Sequence, residues 1–206
     1  MSFTPLIPLL DANQFDGPRL RVHAHQSHLV RNSSMHRHQR GQLLASYQGL
    51  LSVHTSHQHW VVPATHCIWI PSQHAHQVTS HGSYQGWNLY IRPDACTSLP
   101  SNIQVLQISS LLKALIQRMV HMEQHAYDQS MQQHLEDVMI DEIRLLHPVA
   151  LGLARPYSPA LSRVADLLIA QPGDDRCIEA WAKSCNLSAR TLSRHFQQET
   201  GFHFQE

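Results

Sequence analysis

Two hundred and six residues, 42% hydrophobic and 15% charged, fit a folded chain with one good core and a smaller satellite domain, and this composition sets disorder aside. Fifteen Lys and Arg balance fifteen Asp and Glu, so any contact with DNA has to come from a local basic face rather than a global field. The N-terminus lacks a basic start, a long apolar segment and a small-residue cleavage site, and no run of about 18 apolar residues follows; the expectation is a cytoplasmic chain with no membrane partner.

Cys67, Cys96, Cys177 and Cys185 stand far apart without a Cys-x-x-Cys pair, and read as reduced structural thiols. From Leu20 to about Pro93 the chain breaks into short β-favouring runs: 21–25, 42–47, 50–55, 60–62, 67–70, 77–79 and 87–91. Gly41, Gly49, Pro63, Pro71, Gly82, Gly86 and Pro93 punctuate them, the pattern of a small β-barrel or jelly roll rather than of βαβ units. The barrel is placed at 15–98.

From about Ile103 the period changes. Ile108, Leu111, Leu112, Leu115, Ile116, Met119 and Val120 line one helix face, and Met131, Leu135, Val138, Met139, Ile143 and Leu146 line a second one that Pro148 stops, so 103–147 reads as two antiparallel helices. Their stripes either pack on the barrel or form the seam of a homodimer. The stretch 148–157, rich in Pro and without periodicity, reads as a linker.

The second unit is placed at 158–206. Ser158 and Pro159 supply an N-cap and first-turn proline for a helix that Pro172 and Gly173 end, and a short helix follows from Ile178 to about Ser184. Asn186 then takes a left-handed turn, Ser188 caps the next helix and Gly201 ends it. Leu192 and Phe196 share its buried face while Arg190, Ser193, Arg194 and Gln197 project from the other. With two arginines, His195 and no acid between Ser188 and Gln198, that face suits the major groove, where an arginine fork spans guanine O6 and N7. Read as DNA-binding, the set is Ser188, Arg190, Thr191, Ser193, Arg194 and Gln197 and the partner a double-stranded DNA operator; a solvated helix face is the other reading this spacing leaves open.

The stretch from Arg176 to Glu206 resembles the first helix-turn-helix of AraC/XylS transcription regulators, on Ala182, Leu187, Ser188, Arg190, Leu192, Arg194, Phe196, Glu199, Thr200, Gly201 and Phe204. The resemblance implies sequence-specific DNA binding by a regulator, not an enzyme. That family carries two such units joined by a long helix, and this sequence stops where the helix would begin. A weak DNA affinity is therefore expected, with about half the phosphate contacts.

His36 to Gln42 resembles the first cupin motif, His-x-His followed by Glu, with Gln42 where the carboxylate stands. Trp60 to Pro63, then Trp69-Ile70-Pro71 and His76, resemble the cupin sensor domain of one branch of these regulators, and together the two resemblances imply an α+β chain. Residues two apart on a strand share a face, so His36, His38 and Gln42 point one way, as do His74 and His76. The effector pocket is read as His36, His38, Gln42, His76 and Trp69. Its imidazoles suit Zn, Ni or Fe(II), and the missing carboxylate lowers the affinity for such an ion. Random placement of 18 histidines gives about 1.6 His-x-His pairs and four occur, so no pair is decisive alone. The effector is a metal or a small organic molecule. His23, His25, His54, His57, His59 and His66 are read as surface or strand-face residues, and the tryptophans as core. Two rival readings stay open: a metal-dependent cupin oxygenase or isomerase, and a sensing and dimerising fragment without DNA binding.

Overall fold

A computed structural model describes residues 12–122, 128–171, 173–200 and 204. The helix stops expected at Pro172 and Gly201, and most of the polar stretch after Met122, lie outside the described residues. The chain divides into two compact units, one taking the chain up to Thr55 with Trp60–Gly152, the other Ser56–His59 with Leu153 onward.

The first unit is α+β. Strands β1 (Leu20–Ser27), β2 (Gly41–Gln48), β3 (Leu51–His54), β4 (Gln58–Val62), β5 (His66–Ile70), β6 (Gln77–Ser80), β7 (Tyr84–Ile91), β8 (Gln104–Gln107), β9 (Pro148–Val149) and β10 (Gly152–Ala154) form two sheets, Gln58 and His59 of β4 and Leu153 and Ala154 of β10 being counted with the second unit. One runs β1-β7-β2-β5-β8-β9, the other β10-β4-β3-β6. Helices α1 (Ser110–Met122) and α2 (Gln129–Leu145) come between β8 and β9.

Strand periodicity explains the layering. On one face of the six-stranded sheet, Leu44, Ile68, Ile70 and Val105 meet Leu51, Val53, Trp60 and Val62 of the other sheet. On its opposite face Leu43, Ala45, Cys67, Trp69, Leu89 and Leu106 meet Leu112, Ile116, Met139 and Ile143 of the helices. The larger sheet is therefore a middle layer, and this is why β2 is buried from Gly41 to Ser46 instead of alternating between buried and exposed. Gly41 lets Trp69 approach: a Cβ there would overlap the indole.

Two segments depart from the sequence reading. The stretch 104–107 is a strand, because Val105 and Leu106 bury on opposite faces of the sheet, and a run this short is swamped by the helical pattern after it. Residues 148–157 are not all linker: Pro148 pairs with Leu106 at the sheet edge, where a missing N–H costs no ladder bond. Met131, Val138 and Leu145 recur every seven residues on α2 and are exposed. Among the described residues no helix is long and apolar enough to cross a membrane.

The second unit holds α3 (Pro159–Ala170), α4 (Ile178–Ser184) and α5 (Ala189–Thr200). Leu161, Val164, Trp181, Ala182 and Leu192 are its buried centre, with Phe196 and Phe204 packed against them. Asn186 has φ of 56°, the left-handed turn between α4 and α5. The Ser188 hydroxyl accepts from the Thr191 amide at 3.2 Å, so it caps α5.

Candidate functional site

His36 and His76 face each other across a two-bond antiparallel bridge, His36 N to His76 O at 2.9 Å and the reverse at 2.8 Å. His38 follows two residues on. The ring centroids of His36 and His76 are 4.4 Å apart, those of His38 and His76 5.1 Å, and those of His36 and His38 5.9 Å. One ring nitrogen from each lies within 4.8 Å of the others, with His38 and His76 buried and His36 half-buried.

The tautomers follow from the backbone. Nδ1 of His36 donates to Ser34 O at 2.8 Å, that of His38 to Arg40 O at 2.6 Å and that of His76 to His74 O at 2.8 Å. A proton held on Nδ1 leaves the lone pair on Nε2, the arrangement that outer-shell carbonyls impose on metal-ligating histidines. Burial holds His38 below its ordinary value, against the opposing pull of the Gln42 Oε1 and Arg40 carbonyl oxygens beside its ring. Burial likewise pushes His76 down to about 3. Both rings are neutral at pH 7 and able to donate to a cation.

Gln42 completes the cluster. It sits on β2 one alternation before Leu44, on the face turned to the other sheet, and its Oε1 is 3.0 Å from His38 Nε2. The Gln42 amide nitrogen donates to Asn88 Oδ1 at 2.5 Å, which turns Oε1 toward the imidazole. Two lone pairs thus face each other, and a cation held by both would relieve them. Among the described residues His76 Nε2 is buried with no hydrogen-bond partner, at a cost of about 1–3 kcal/mol unless something binds it. The donor set therefore fits a divalent transition metal held by three imidazoles and an amide oxygen.

The structure brings together His36, His38, Gln42 and His76, and leaves out Trp69. That indole is fully buried on the other face of the sheet, its Nε1 donating to Pro100 O at 2.7 Å, so it does not line this pocket. A one-residue offset on a strand decides the matter, since successive side chains point to opposite faces. His74 is exposed, while His59, grouped with the surface or strand-face histidines, is buried on β4.

Sequence reading missed Asn88, whose amide reaches His25 at 3.4 Å, and Tyr90, whose ring meets His38 edge-on at 5.4 Å. The available signal for Asn88 was a polar residue inside the otherwise apolar run 86–91.

In the second unit Arg190, Arg194, Gln197 and Ser188 are exposed, and Thr191 and Ser193 half-buried. Ser188 and Thr191 hydroxyls bond each other at 2.8 Å, which ties both to the cap and leaves the arginines as the most available groups. Glu199, noted only as a motif position, has a role: its carboxylate accepts from Tyr157 N and Ser158 N, both at 2.9 Å. It thereby satisfies amides at the start of α3, where the Ser158 side chain makes no cap bond.

The family model described as the AraC-like ligand binding domain matches residues 20–143. Among solved structures, unsaturated fatty acid bound wild-type ToxT from Vibrio cholerae is 9% identical, with 90% of this chain and 75% of that chain covered and a TM-score of 0.44. The AraC-like transcriptional activator CuxR is 10% identical, with 87% and 70% covered and a TM-score of 0.49. No curated protein matches significantly.

Proposed function

This chain belongs to the family of AraC-like ligand binding domains, and on that premise we propose that it is a DNA-binding transcription regulator whose cupin-like sensor holds a divalent transition metal. The observation that carries the sensor reading is the orphaned His76 Nε2, converging with two further imidazoles whose Nδ1 protons are all committed to carbonyls. His36, His38 and His76 would be the nitrogen ligands and Gln42 the oxygen ligand. A bound ion would supply a Lewis-acidic position for an effector.

Protein purified without a histidine tag is expected to carry close to one Zn, Ni or Fe per chain by elemental analysis, and the His36→Ala/His38→Ala variant none. Metal-free wild type that takes up no added zinc in equilibrium dialysis would end the metal reading and leave an organic-effector pocket.

For DNA, α4, the Asn186 turn and α5 support a helix-turn-helix in which Arg190 and Arg194 meet base edges. On an operator selected from random double-stranded DNA, Arg190→Ala and Arg194→Ala should each cost about 1–3 kcal/mol of binding. Insensitivity to both, with the fold intact by circular dichroism, would favour the reading without DNA binding.

A second copy of the chain is the partner assigned to the exposed row Met131, Val138 and Leu145, whose seven-residue repeat is that of a helix–helix seam. Light scattering should find a dimer at micromolar concentration and a monomer for Val138→Glu/Leu145→Glu. A monomeric wild type removes this part of the proposal.

A further inference from the structure

No Asp or Glu occurs between Asp16 and Asp94, a span that contains β1 to β7 and every residue of the histidine cluster. The same span carries six arginines: Arg19, Arg21, Arg31, Arg37, Arg40 and Arg92. Acids from outside the span neutralise two of them, Asp137 pairing with Arg19 and Asp94 with Arg92. Arg37, between the two clustered histidines, is exposed. The Arg40 guanidinium lies buried and donates to the carbonyls of Gln14, Pro18 and Asp16. Among the described residues the ionisable groups that act on His38 and His76 are other imidazoles, with no carboxylate among them.

A divalent ion on three neutral imidazoles and an amide keeps its full double charge. Burying an uncompensated charge is costly, and a counter-charge in contact with it lowers that cost. The described residues supply none at this site, so the counter-charge has to arrive with the occupant. His36 is half-buried and its neighbours Ser34 and Met35 are exposed, so the cluster lies nearest to solvent on this side.

From this absence of negative charge among the described residues we propose that the effector is a small anion, of the carboxylate or other oxyanion class, that binds to the metal these residues would hold. The inference rests on the metal reading above and names the ligand of that same centre. Gln42 is its specificity-determining residue: an acid there would satisfy the ion internally, whereas the amide leaves the charge for the effector to meet.

The test uses the full chain loaded with cobalt(II), whose visible absorption reports its ligands, titrated with sodium acetate and, as a neutral control, acetamide. Acetate is expected to change the spectrum saturably and acetamide to leave it unchanged. In Gln42→Glu the acetate affinity should fall by at least roughly tenfold, and the cobalt affinity should rise by a similar factor. His66→Gln, on β5 with its ring beside the Thr65 hydroxyl and outside the cluster, should behave as wild type and controls for general disturbance of the barrel. Cobalt bound with no response to acetate, phosphate or azide overturns the anion inference alone. A response to acetate that Gln42→Glu leaves unchanged overturns the role of Gln42. Failure of cobalt to bind overturns both the metal reading and this one.

Discussion

Trp69→Ala is expected to destabilise the first unit by about 3–5 kcal/mol, the range for deleting a buried aromatic side chain from a packed core. The indole has no solvent exposure, fits against Gly41 and Cys96, and packs among Leu43, Leu89, Leu112 and Ile116 between sheet and helices. Little can move to fill the gap, because backbone forms part of its wall, and the Pro100 carbonyl loses its donor. Against a domain stability of about 5–15 kcal/mol this is a large fraction. Urea unfolding followed by far-ultraviolet circular dichroism should show a lower midpoint with an unchanged slope. A loss below about 1 kcal/mol would place Trp69 in a wet pocket after all. Trp69→Phe keeps most of the packing and should retain metal at wild-type stoichiometry; loss of metal there would return the residue to the site.

Acid should unfold the metal-free first unit over the window set by its buried histidines. His76 has a folded-state value of about 3 against an ordinary 6.5, and burial lowers His38 in the same direction. Between those two values the unfolded chain binds the His76 proton and the folded chain does not. Stability is therefore fully present above about 6.5 and is lost as pH falls toward 3, at up to about 1.4 kcal/mol per pH unit for each such proton. Urea midpoints measured in chelator from pH 7 to pH 4 should fall steadily, and His76→Gln should flatten the slope by about one proton. An equal slope in wild type and His76→Gln would mean that His76 is solvated in the folded state. With metal bound the decline should begin at the pH where protons start to displace the ion, since only neutral imidazole ligates.

Much was legible in the sequence because it depends on local chemistry. The β runs with Gly and Pro between them, the two helical stripes, the Asn186 turn, the Ser188 cap and the pairing of Leu192 with Phe196 all follow from spacing within a few residues. His36, His38 and Gln42 were visible as a group for the same reason. What local spacing cannot supply is which face of the middle sheet meets which layer. Buried strands such as β2 and β5 are apolar on both sides, so their pattern carries no direction, and Trp69 was assigned to the wrong face. The four residues of β8 fell below the length at which alternation stands out from the helical stripe after them.

Sequence by itself determined the donor types, the two-residue spacing that puts His36 and His38 side by side, and the acid-free span around them. Tertiary structure alone decided that His76, some forty residues away, bridges His36, that Asn88 turns the Gln42 amide toward His38, and that backbone carbonyls hold all three Nδ1 protons. The physical reason is that ligand lone pairs converge only where strand pairing and burial fix distant backbones against each other. A hydrogen bond from a ring to a carbonyl two residues away depends on the fold the strand is held in, not on the residues that spell it.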